Sequence, residues 1–76
     1  MISANAFKKY VNQSQPVRIH LADGREIQVP HGEYLSLDPG GRMFFVWMPD
    51  GSFELCNLTM VTSVTIPAKG LGATPE

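Results

Sequence analysis

Three turn signals built from Asp and Gly cut the stretch between Pro16 and Ile66 into short pieces, and this spacing limits the fold more than any other feature. Asp23-Gly24, Asp38-Pro39-Gly40-Gly41 and Pro49-Asp50-Gly51 each separate two apolar runs. Gly reaches backbone conformations closed to other residues, and a short Asp side chain hydrogen-bonds its own turn. Runs of about 4–8 residues between such turns read as antiparallel strands rather than helices. Val17, Ile19 and Leu21 alternate with Arg18, His20 and Ala22, and Ile27 and Val29 alternate with Glu26 and Gln28. Between them, Asp23-Gly24 is expected as a two-residue type I′ turn. Pro30 cannot donate to a ladder, so Pro30 to Glu33 interrupts the second strand, and Tyr34 to Leu37 resumes as strand or bend. Met43 to Met48 reads as a central strand, and Phe53 and Leu55 alternate with Ser52, Glu54 and Cys56 on a fourth. After a turn near Asn57 to Thr59, the β-branched run Val61 to Ile66 is a fifth.

Ahead of the strands the period is helical. Ser3 is a candidate N-cap, and Ala6, Phe7, Tyr10 and Val11 share one face of a helix over residues 3–13. Residues 67–76 are rich in Gly, Ala and Pro without an apolar period, and are expected to form a flexible tail. The expected organisation is therefore one domain over residues 1–66 followed by a tail over 67–76. A chain of 76 residues has a marginal core. Its single cysteine forbids an internal disulfide, and His20 and His31 lack partners at metal-ligand spacing. Self-association is the remaining aid. The expected fold is mainly β, an N-terminal helix followed by a five-stranded antiparallel small barrel, since closure removes the edges of an open sheet.

The strand residues carry two resemblances. The string from Pro16 to Leu37, then Gly41-Arg42, Pro49-Asp50-Gly51-Ser52-Phe53-Glu54 and Val61-Thr62-Ser63, resembles a family of short uncharacterised bacterial proteins. That family has no established activity. Leu21, Asp23-Gly24-Arg25 and the ends Pro16–Leu21 and Val64–Pro67 more distantly resemble the Sm-like barrels, including the Hfq-type RNA chaperones. Val29 stands where those proteins usually have Gly, and Asn57-Leu58-Thr59-Met60 replaces their Tyr-Lys-His segment. The second resemblance implies an SH3-like or Sm-like barrel of helix-then-strands order.

Catalytic chemistry is sparse. Cys56 with His20 or His31 is the one thiol–imidazole couple available, and Cys56 reads instead as a small hydrophobe at a strand end. Asp23, Asp38 and Asp50 are accounted for by their turns. No glycine-rich segment has the ending of a phosphate loop. The expectation is a non-enzymatic protein without metal or cofactor.

Charge is unevenly placed. The chain carries −1 overall, but Lys8, Lys9, Arg18 and Arg25 against Asp23 leave +3 in the front, and the remainder holds −4. Lys8, Lys9, Arg18, His20 and Arg25 are thus the candidate nucleic-acid contacts, multiplied if several subunits form a ring. The central strand is apolar on both faces: Met43, Phe45 and Trp47 oppose Phe44, Val46 and Met48. One face must be covered by the N-terminal helix or by another subunit. Phe7, Tyr10, Phe45 and Trp47 are the candidate interface. With no apolar run long enough to span a bilayer and no leader-like N-terminus, the expected location is the cytoplasm and no membrane partner is expected. A self-associating binding or adaptor module is the leading functional expectation. An RNA- or DNA-binding regulator is the alternative.

Overall fold

The computed structural model describes residues 2–11 and 15–67. One helix, α1 (Ala4–Val11), precedes six strands: β1 (Val17–Leu21), β2 (Glu26–Val29), β3 (Leu35–Leu37), β4 (Met43–Trp47), β5 (Phe53–Asn57) and β6 (Val61–Thr65). They form two three-stranded antiparallel sheets, ordered β2-β1-β6 and β3-β4-β5. The expected closed five-stranded barrel is corrected here. Pro30 and the 3-10 turn Gly32–Tyr34 split what would be one bent strand into β2 and β3, so no ladder runs from one sheet into the other. His31 caps that 3-10 turn, its Nδ1 accepting the Glu33 N–H at 3.2 Å.

The helix starts where Ser3 caps it, its hydroxyl accepting the Ala6 N–H at 3.1 Å. The expected helical residues 12 and 13, and residues 68–76 of the expected tail over 67–76, lie outside the described residues. Phe7 and Val11, one turn apart, are buried, while Tyr10 is exposed. Phe7 packs on Phe44 with ring centroids 4.8 Å apart. These two join Ile19, Val17, Val29 and Val46 in a core drawn from both sheets and the helix. Burying a side chain such as Phe44 contributes about 2–3 kcal/mol.

The turns differ from expectation in a way that matters for every strand after them. Asp23 is not in the left-handed region, so the first hairpin is not a type I′ turn. The Gly24 N–H instead donates to the Leu21 carbonyl, Gly24 takes φ +93°, and Leu21 N–H donates to the Arg25 carbonyl. This is a type I turn followed by a left-handed Gly, a three-residue loop. Pro49-Asp50-Gly51 repeats it, with the Gly51 N–H on the Met48 carbonyl and Gly51 at φ +92°. An odd loop length changes which residues face each other. Trp47 pairs with Phe53, and Phe45 with Leu55.

Gly41 has two reasons to be glycine. Its φ is +71°, and a Cβ there would lie 2.8 Å from the Ala4 Cβ of the helix. The β3–β4 turn and the first turn of α1 therefore meet in close contact.

Candidate binding surface

The two sheets present opposite chemistry to solvent. On the outside of β2-β1-β6 the paired positions are Arg18 with Gln28 and Thr65, and His20 with Glu26 and Ser63, all polar. On the outside of β3-β4-β5 they are Ser36 with Phe45, Phe45 with Leu55, Trp47 with Phe53, and Met43 with Asn57. Among the described residues no charged side chain stands at these positions of the second face.

Three aromatic rings form its centre. Phe45 meets Trp47 edge-on at 5.7 Å and Phe53 at 5.9 Å, and Trp47 meets Phe53 at 4.8 Å. Cross-strand aromatic pairs hold one another in place, so the cluster is a preformed surface rather than loose side chains. Around it Met43, Trp47, Phe53 and Leu55 are 38%, 43%, 58% and 60% exposed. Phe45 and Trp47, expected to be at an interface, are here. Phe7 is not, because it is buried under the helix against Phe44, and no ring contact joins Tyr10 to the cluster. Of the two covers considered from the sequence, the helix is not at this face: α1 seals the core and leaves the face bare.

Phe53 and Leu55 are the residues that sequence reasoning missed. An alternating strand normally turns its apolar set inward, yet in β5 Cys56 is buried, Glu54 is half-buried and Phe53 and Leu55 point outward. This parity is fixed by the three-residue length of the Pro49-Asp50-Gly51 loop, which an Asp-Gly pair does not by itself specify.

Most of the candidate nucleic-acid residues are already engaged. Arg25 is bound to Asp23, its Nε donating to Oδ2 at 3.0 Å, and forms a second ion pair with Glu54 of the other sheet. These two carboxylates, Glu54 first, raise the guanidinium's affinity for its proton further. His20 bonds Thr65 Oγ1 through Nε2 at 3.0 Å and faces Glu26 Oε1 at 3.8 Å through Nδ1. Lys8 and Lys9 lie in the last turn of α1, with the Lys9 ammonium 5.4 Å from the Tyr10 ring centroid, and Arg18 stands exposed on β1. The five are spread over a helix, a strand and a turn.

Cys56 and His20 do not meet: one faces the core from β5, the other faces solvent from β1. Burial, and then the nearby Glu54 charge, push the Cys56 thiol up, away from the reactive thiolate. Among the described residues no group of three or more His, Cys, Asp or Glu could hold a metal ion. A groove of about 520 Å³ lies between α1 and β3, lined by Ala4, Lys8, Leu35, Leu37, Asp38 and Gly41. Its one carboxylate is consumed, since Asp38 accepts backbone N–H bonds from Arg42, Met43 and Gly40. Among the described residues no helix is long and apolar enough to cross a membrane.

No protein-family model matches this chain, and no curated protein does. It is similar to the solution structure of a Pseudomonas syringae protein described as a "putative lipoprotein", with a TM-score of 0.52 and 28% identity. That likeness covers 70% of this chain and 93% of the other.

Proposed function

We propose that this protein is a non-enzymatic, self-associating binding or adaptor module, working through the outer face of β3-β4-β5. The observation that carries the reading is the charge-free aromatic cluster of Phe45, Trp47 and Phe53 on a sheet that the molecule's own helix leaves bare. Exposed apolar patches of this kind mark contact sites, and Trp, Phe and Met are enriched at the centres of protein interfaces. The strand order and the preceding helix support an SH3-like or Sm-like barrel opened at Pro30.

Light scattering tests the reading. The wild type should exceed the monomer mass, and Trp47→Ser should lower it; an unchanged mass in Trp47→Ser would count against this face. The nucleic-acid alternative rests on Lys8, Lys9, Arg18, His20 and Arg25, of which Arg25 and His20 already hold carboxylate and hydroxyl partners and Lys9 lies over the Tyr10 ring. Binding of single-stranded RNA that weakens steeply with salt would favour it. For location, the similarity to a protein described as a lipoprotein favours an envelope site over the cytoplasm expected from the sequence. Cell fractionation separates the two.

A further inference from the structure

We infer that the occupant of this apolar face is a second copy of the chain, packed sheet on sheet about a two-fold axis into a closed dimer. This rests on the reading of the face as a self-association surface and specifies its geometry, which differs from the ring of several subunits considered from the sequence. The first argument is area. The exposures of Met43, Trp47, Phe53 and Leu55 correspond to about 400 Å² of apolar surface for side chains of this size. Two such faces together remove about 800 Å² from water, the larger part of the ~1,200 Å² at which specific interfaces begin.

Self-complementarity is the second argument, since a two-fold contact presents a surface to itself. Along the β4–β5 ladder the outward rungs run Met43 with Asn57, Phe45 with Leu55, then Trp47 with Phe53. An axis beside the middle rung lays the bulky Trp47–Phe53 rung of each copy over the slimmer Met43–Asn57 rung of the other. The thioether of Met43 then meets an aromatic ring, a favourable contact. Sheets stacked this way align within about 30° and stand about 10 Å apart.

Charge is the third. The face carries none, and Glu54, the one charged residue of β5, is turned away to Arg25. A nucleic acid or an anionic lipid surface would find no charge to pair with here, whereas a copy of the same face has no charge to desolvate. The dimer should therefore be insensitive to added sodium chloride.

Sedimentation equilibrium on the full chain, from micromolar to roughly millimolar concentration, decides the matter. The expected result is a monomer–dimer equilibrium whose limiting mass is two chains at low and high salt. Leu55→Lys and Met43→Lys, both at exposed positions, should each raise the dissociation constant by roughly tenfold or more. Their circular dichroism spectra should stay unchanged. Gln28→Lys, on the outer face of the other sheet, should leave the constant as it was. A limiting mass above two, or a dimer that survives Leu55→Lys, overturns this geometry and leaves a module that associates elsewhere. A wild type that stays monomeric throughout overturns the self-association reading as well.

Discussion

Three aspartates do similar work at three turns, and their chemistry predicts how the molecule responds to acid. Asp38 holds the Met43 and Arg42 N–H groups at 2.9 and 2.8 Å, and those bonds hold its pKa below the usual 3.8. Asp23 is lowered chiefly by the Arg25 N–H, and Asp50 by the hydroxyl and N–H of Ser52. Each carboxylate thus binds its proton less tightly folded than unfolded. Their contribution is complete above the ordinary carboxylate pKa and is lost as pH falls through the lowered folded values. Urea midpoints should be flat from neutral pH down to about 5 and drop below about 4. In Asp38→Ala that acid drop should be shallower, from a lower starting midpoint. An acid limb as steep as the wild type's would remove Asp38 from this account.

At the scale of the elements, the alternation of β1 and β2, the break at Pro30 and the presence of β4 and β5 were legible in the sequence, because period-two patterning reports directly on burial. Two things were not. The turn type at Asp23-Gly24 depends on where one residue of positive φ falls, and Asp-Gly is compatible with both a two-residue and a three-residue loop. The face of β5 was hidden for the same reason, since one extra loop residue exchanges Phe53 and Leu55 with Glu54 and Cys56. Of the candidate interface residues, Phe45 and Trp47 stand on the outer face of a strand too apolar for one core, whereas Phe7 belongs to the helix's own packing. Paired substitutions check the assignment of faces. Phe44→Ala, deep in the core, should cost about 3–5 kcal/mol in equilibrium unfolding. Phe53→Ser, at an exposed position, should change monomer stability by less than about 1 kcal/mol, measured at dilution. Equal losses would mean that the faces are misassigned.

The whole molecule combines a small core with two unlike outer surfaces. One sheet shows water a polar lattice of Arg18, Gln28, His20, Glu26 and Thr65; the other shows it aromatic rings. A 76-residue chain whose single cysteine forbids an internal disulfide has little stability to spare. Covering the second sheet would add apolar burial to that core, so folding and association are linked by mass action. The thermal midpoint of the wild type should climb with protein concentration, by a few degrees per tenfold. That of Leu55→Lys should not move. A midpoint independent of concentration in both would break the link between core and contact.

The break at Pro30 has a kinetic corollary. Among the described residues no ladder crosses between the sheets, and besides the chain connections it is side-chain packing, α1 and the Arg25–Glu54 ion pair that bind one sheet to the other. A rift along that seam would leave each sheet's own backbone bonds intact while uncovering Cys56, which faces the core from β5. The thiol is thus a built-in clock for the rift, silent while the seam is shut. Its alkylation should proceed faster than global unfolding measured by amide exchange, and Arg25→Gln should quicken it further without changing exchange at the central β4 amides. Alkylation that merely keeps pace with global unfolding would show the two sheets opening as one unit.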